Sequence, residues 1–161
     1  MTDQAPESVT DQAPGSPMPT AHTPTATNAD TVQAFLFALA EEDFDTVESL
    51  AAAELIWQNV GLPSIRGRHR IMKLLRRGEG RFGFGVKFHN VAEDGGTVLT
   101  ERTDAIIIGP LRLQFWVWGR FEVHEGKVTL WRDYFDFFDI MVKAPLRALA
   151  GSVFPALRPT F

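Results

Sequence analysis

Three ionisable side chains sit where charge is rarely placed. Thr100-Glu101-Arg102-Thr103-Asp104-Ala105-Ile106-Ile107-Ile108 reads as a β-strand, in which alternate side chains share a face. Arg102 and Asp104 therefore stand beside Ile106 and Ile108. In Leu130-Trp131-Arg132-Asp133-Tyr134-Phe135-Asp136 the same alternation puts Asp133 between Trp131 and Phe135. An isolated ion is costly to bury, so charges on apolar faces must satisfy one another. Two carboxylates in one site cannot both ionise freely, and an arginine between them can hold one ionised while the other keeps its proton. Such a pair can take a proton from water and give one to a leaving oxygen, a push–pull suited to opening a strained ring such as an epoxide. The same three residues would equally make a buried structural salt bridge.

The chain must supply elements that bring these strands together. It has 161 residues, 45% of them hydrophobic, with thirteen phenylalanines and four tryptophans, enough for one aromatic-rich core. Residues 1–28 read as a disordered Pro/Thr/Ala-rich tail: Pro6, Pro14, Pro17, Pro19 and Pro24 fall there with no aromatic residue, and Thr2-Asp3-Gln4-Ala5-Pro6 recurs as Thr10-Asp11-Gln12-Ala13-Pro14. Residues 29–161 form the folded domain. Asp30 is placed to cap a first helix with Gln33 completing the box, and Val32, Phe35, Leu36 and Leu39 give it an apolar face. Asp43 caps a second helix whose buried side is Phe44, Val47, Leu50 and Ala51; a short strand follows over Glu54–Asn59, ended by Gly61-Leu62-Pro63.

Residues 66–77 form a basic helix with Ile71, Met72, Leu74 and Leu75 as its buried stripe; its arginines read as a solvated face rather than an anion site. Strands are then predicted over 85–92, 97–108, 111–123 and 127–135, joined by Asp94-Gly95-Gly96, Gly109-Pro110 and His124-Glu125-Gly126 as an antiparallel meander. Trp116 and Trp118 occupy its otherwise polar face, as at a subunit contact. Residues 137–161 read as short broken helices over the sheet. The expected fold is α+β: a curved sheet, largely antiparallel, with N-terminal helices closing a cone-shaped pocket.

Composition narrows the function. A net charge of −4 argues against nucleic-acid binding, and no apolar run reaches the roughly 18–20 residues that span a bilayer. No secretory signal is evident at the N-terminus, so a cytoplasmic protein is expected. There is no cysteine, and His22, His69, His89 and His124 lack ligand spacing, so neither metal nor cofactor is expected. A Gly-x-Ser-x-Gly nucleophile elbow is absent.

Three phrases in order carry a resemblance across residues 30–147. They are Trp57-Gln58-Asn59 followed by Leu62-Pro63, then Glu101-Arg102-Thr103-Asp104, then Glu125-Gly126-Lys127 leading into Trp131-Arg132-Asp133-Tyr134-Phe135-Asp136. In these the chain resembles the limonene-1,2-epoxide hydrolases. The resemblance implies a curved mixed sheet of the nuclear transport factor and ketosteroid isomerase type. It implies a cofactor-independent enzyme that adds water to a small apolar epoxide without a covalent intermediate. Carried over, Asp133 would be the general base, Asp104 the general acid and Arg102 the bridge between them. Asn59 would hold the attacking water, and Trp57 stands where the family places a water-binding tyrosine. An indole donates but cannot accept a hydrogen bond. Leu36, Leu39, Ile106, Phe115, Val117 and Phe135 would line the substrate pocket, by strand and helix parity and by the resemblance, or else serve as plain core. The family habit also implies a homodimer. A non-catalytic carrier of an apolar ligand is the competing reading, and a ketosteroid-type isomerase is disfavoured because Tyr134, the only tyrosine, points away from Asp133.

Overall fold

Thr27, not Asp30, opens the first helix. The structure, a computed structural model, describes residues 26–157. In it the Thr27 hydroxyl accepts from the Asp30 amide and the Asp30 carboxylate accepts from the Thr27 amide, a reciprocal capping box three residues upstream of the predicted one. Both residues are competent caps, and Thr27 wins because Asp30 is then the acidic partner within the first turn. Helix α1 therefore spans Asn28–Ala40, and Asn28, assigned above to the tail, belongs to the fold. Residues 1–25 of the predicted tail lie outside the described residues.

Helix α2 spans Phe44–Leu50 and is capped by Asp43 as expected. Ala51, predicted on its buried side, instead begins strand β1, Ala51–Asn59. The chain turns extended at Ala51, which pairs with Val128 and is fully buried there. Strand β2 is Ile65–Arg66 and helix α3 is Arg68–Gly78. On α3, Arg76 pairs with Asp45 and Glu48, and Arg68 donates to the carbonyls of Glu48 and Ala51. These two arginines fasten the helix to α2 and β1.

Strands β3 (Gly83–Asp94), β4 (Thr97–Ile108), β5 (Leu111–His124) and β6 (Lys127–Tyr134) form the antiparallel meander. Glu125 and Gly126 both have positive φ, 49° and 70°, as a two-residue type I′ hairpin between twisted strands requires. The sheet order is β2-β1-β6-β5-β4-β3, with β1 parallel to β6 and every other pair antiparallel. That parallel pairing matters for function because it sets Trp57 against Trp131 and Asn59 against Asp133.

One face of the sheet is covered by α1, α2 and α3. Val32, Phe35 and Leu36 of α1 pack with Leu55, Ile71, Val98, Phe121 and Trp131 in a single core. Each such side chain contributes about 1.5–3 kcal/mol on full burial. Beyond β6 come a π-helical turn, Asp139–Lys143, helix α4, Ala144–Val153, and a short 3₁₀ turn, Pro155–Leu157. Helix α4 packs on β5 through buried Ala144 and Ala148, and Arg147 donates to the Gln114 carbonyl. No helix among the described residues is long and apolar enough to cross a membrane.

Candidate active site

Arg102 and Asp104 leave β4 on the helix-covered face, and Asp133 leaves β6 on the same face two strands away. Strand β5 lies between them, so Arg102 must reach across it. The register puts Gly119 of β5 opposite Thr100 on one side and opposite Asp133 on the other. A β-carbon at 119 would lie 2.1 Å from Arg102 Nη1, so the guanidinium lies over the bare glycine backbone. An isolated glycine inside a strand pattern signals such a close approach. This signal stood in Trp118-Gly119-Arg120 and was not among the sequence-predicted site residues.

All three guanidinium nitrogens donate hydrogen bonds. Nε donates to Asp104 at 2.9 and 3.2 Å, Nη1 to Thr100 Oγ1 at 2.8 Å, and Nη2 to Asp133 Oδ1 at 2.5 Å. Its carbon lies 5.6 Å from the Phe121 ring centroid, within cation–π range. Trp131 Nε1 donates to the other Asp133 oxygen at 2.6 Å. Arg102, Asp104 and Asp133 are 0, 4 and 5% exposed. Thr100 and Trp131 are further partners that sequence reasoning missed; their places on the charged faces of β4 and β6 were the available signal.

Burial decides the protonation. Desolvation pushes the Asp104 carboxyl up to about 7, against the pull of Arg102 and with help from the Asp133 charge. Asp133 is also raised by burial, opposed by Arg102 and by the Trp131 donor. Arg102 is lowered by burial, but Asp133 and Asp104 outweigh that and hold it above its ordinary value. With one proton on the pair the site is neutral: one cation, one carboxylate, one carboxylic acid. Asp133 has a second, non-titrating donor in Trp131.

Asp104 and Asp133, with Asn59 and Glu42, form the polar part of the lining of a cavity of about 490 Å³, and Arg102 joins the two aspartates. Of the sequence-predicted residues, Trp57, Asn59, Asp104, Asp133, Leu39, Ile106, Phe115, Val117 and Phe135 all line it. Leu36 does not. It lies 60° around the helix from Leu39 and is fully buried in the core beneath. Leu74, Leu75 and Gly78 of α3 also line the cavity, as do Phe82 and Ile140. Leu74 and Leu75 had read as a core stripe, since periodicity cannot separate a face turned to a core from one turned to a cavity. Trp57 stacks on Trp131 with centroids 4.7 Å apart, and its own Nε1 is buried without a hydrogen-bond partner. Tyr134 points to the opposite, exposed face. Among the described residues no group of three or more His, Asp or Glu is placed to hold a metal ion.

Residues 26–147 match the limonene-1,2-epoxide hydrolase catalytic domain. The chain belongs to the limonene-1,2-epoxide hydrolase family. It is an epoxide hydrolase of that type. Epoxide hydrolase EphG of Mycobacterium tuberculosis is 57% identical over 129 residues, covering 80% of this chain and 86% of that protein. A solved M. tuberculosis LEH-like epoxide hydrolase (LEH, limonene-1,2-epoxide hydrolase) is 55% identical, covers 87% of this chain and all of its own, and superposes with a TM-score of 0.81. A structure described as a putative ketosteroid isomerase from Kribbella flavida is 16% identical with a TM-score of 0.55, covering 68% of this chain and 77% of its own. It shares the fold alone. This member of the limonene-1,2-epoxide hydrolase family thus joins a cone-shaped α+β fold to a buried Asp–Arg–Asp constellation.

Proposed function

We propose that this epoxide hydrolase acts on a lipophilic epoxide and adds water in one step, without a covalent enzyme intermediate. The observation that carries the reading is Arg102 bridging two buried carboxylates at the polar end of an apolar cavity. Asp133, ionised, takes a proton from water as the water oxygen attacks an epoxide carbon. The carbon–oxygen bond breaks, and the ring oxygen takes the proton held by Asp104. The product is a vicinal diol. The proton ends on Asp133 and the charge on Asp104, so the net charge beside Arg102 is the same throughout, and the carboxylates must re-exchange a proton before the next turnover. Arg102 holds both partners in place, and exclusion of bulk water strengthens these interactions.

Asn59, paired with Asp133 across β1 and β6, is the residue we assign to hold the water with the base. Trp57 offers the cavity its ring rather than a hydrogen-bonding group, because its N–H is buried. Leu39, Ile106, Phe115, Val117 and Phe135 receive the apolar body of the substrate. Single turnover of a lipophilic epoxide in ¹⁸O-water is expected to put the label directly into the diol. Label appearing first in Asp133 or Asp104 by peptide mass spectrometry would instead mean covalent catalysis.

The enzyme is further proposed to work as a homodimer. Trp116 and Trp118, 45 and 56% exposed on the outer face of β5, support that arrangement. Sedimentation should give a dimer for the native chain and a monomer for Trp118→Glu. A monomeric native chain, or a variant that stays dimeric, rejects this face.

A further inference from the structure

The acid–base scheme above gives no task to Trp131, yet this side chain makes the second hydrogen bond to the base. Asp133 Oδ1 accepts from Arg102 at 2.5 Å and Oδ2 accepts from Trp131 Nε1 at 2.6 Å. The donor arrives from two residues upstream on β6, so strand alternation delivers it to the same face. An indole N–H only donates and never titrates, so it favours the carboxylate over the carboxylic acid under all conditions. With both oxygens engaged, the carboxylate plane is fixed.

The Trp131 ring is itself held from two sides. Phe35 of α1 meets it edge-on, with centroids 5.4 Å apart at 80°, and Trp57 of β1 stacks on it at 4.7 Å and 15°. A ring gripped by an edge and a face cannot rotate without opening the core. The clamp also explains why an indole suits position 57 although its N–H is left unpartnered. What the residue supplies is a flat face as wide as the one it covers.

Taking Asp133 as the base proposed above, we infer that Trp131 is its positioning residue and that Trp57 acts by holding Trp131 in place. The donor keeps the base ionised and aims its free lone pairs into the cavity. The charged groups bonded to or facing Asp133 are Arg102 and Asp104, both from β4; Glu42, between α1 and α2, is the other charged residue lining the cavity, β1 offers only neutral Trp57 and Asn59, and β5 offers Gly119.

Trp131→Phe tests this, because phenylalanine keeps a ring between Phe35 and Trp57 while deleting the donor. A hydrogen bond to a charged group corresponds to about one to two pKa units. The kcat should therefore fall about tenfold or more with KM little changed, and the acid limb of the kcat–pH profile should move up by about one unit. Replacing Trp131 by 3-benzothienylalanine, an isostere without the N–H, should do the same if the phenylalanine variant fails to fold. Wild-type kcat with an unmoved acid limb in either folded variant overturns the inference. Asp133→Asn separates the two failures. If it is inactive while the position-131 variants behave as wild type, only the positioning role falls; if it keeps full turnover, the assignment of the base falls too.

Discussion

Asp133→Asn is expected to lower turnover of a lipophilic epoxide by about 10²–10⁴-fold while the protein stays folded. Asparagine has the shape of the aspartate but cannot accept the proton of the attacking water. It also offers one acceptor oxygen where two donors converge, Arg102 Nη2 and Trp131 Nε1. One donor therefore faces an amide NH₂, a mismatch of about 1–3 kcal/mol. A modest fall in melting temperature should accompany the loss of activity. Near-native kcat in a folded variant would remove Asp133 from the mechanism.

The same variant should change how stability depends on pH. In the unfolded chain Asp104 ionises near 4, whereas in the folded protein it holds its proton up to about 7. Between those values the folded state binds the extra proton, so stability is fully present below about pH 4 and falls as pH rises towards 7. The slope is at most about 1.4 kcal/mol per pH unit for each proton retained. Asp133, also raised, acts in the same direction. Asp30, the capping-box partner of Thr27, and the cap Asp43 are lowered by their hydrogen bonds to Thr27 and Thr46, so their contributions are lost only as pH falls below the ordinary carboxylate range. Activity should decline above about pH 7, where Asp104 gives up the proton the ring oxygen needs. Without the Asp133 charge, Asp104 faces Arg102 alone and ionises at lower pH. The fall in stability between pH 4 and 7 should therefore flatten, as denaturant titrations at a series of pH values will report. An unchanged slope would mean that the two carboxylates do not share the proton.

Strand alternation made much of this legible before any coordinates. It put Arg102 and Asp104 on one face of β4 and Asp133 on one face of β6, and a period of two leaves no freedom to place them elsewhere. The hairpin turns ordered the meander, and its strand boundaries fell within two residues of those in the structure. Helices were harder, because a period of 3.6 defines a broad stripe rather than a face. Leu36 and Leu39 share a stripe and both are buried in the core, yet only Leu39 reaches the cavity wall. Leu74 was misassigned in the opposite sense, whereas Leu75 both packs against the core and lines the cavity. The first cap could not be ranked either, since Thr27 and Asp30 take part in one reciprocal pair and each looks like a start. The parallel pairing of β1 with β6 depends on long-range packing that no local pattern encodes, and it is what sets Asn59 beside Asp133.

Gly119→Ala is the sharpest test of the bridge itself, and is expected to destabilise the fold and remove most of the activity. On intrinsic grounds the change should help, since glycine in a strand is about 0.5–1 kcal/mol worse than alanine. Sterics reverse the sign. The new methyl would stand 2.1 Å from Arg102 Nη1, 2.5 Å from Thr100 Oγ1 and 2.8 Å from Phe121 Cε2, where carbon contacts prefer about 3.5–4 Å. A free arginine would simply swing aside. This one is tied to Thr100, Asp104 and Asp133 at once, so yielding to the methyl breaks bonds to a buried cation. Disrupting a buried ion pair costs about 3–5 kcal/mol, several times the gain in strand propensity. Urea denaturation should therefore show a loss of several kcal/mol, and any folded fraction should turn over slowly because Arg102 no longer spans the carboxylates. A variant that is more stable than the native protein and fully active would show that the guanidinium does not cross β5 at Gly119. With that crossing removed, Asp104 and Asp133 would be two separate buried acids, and a single shared proton could not serve both ends of the reaction.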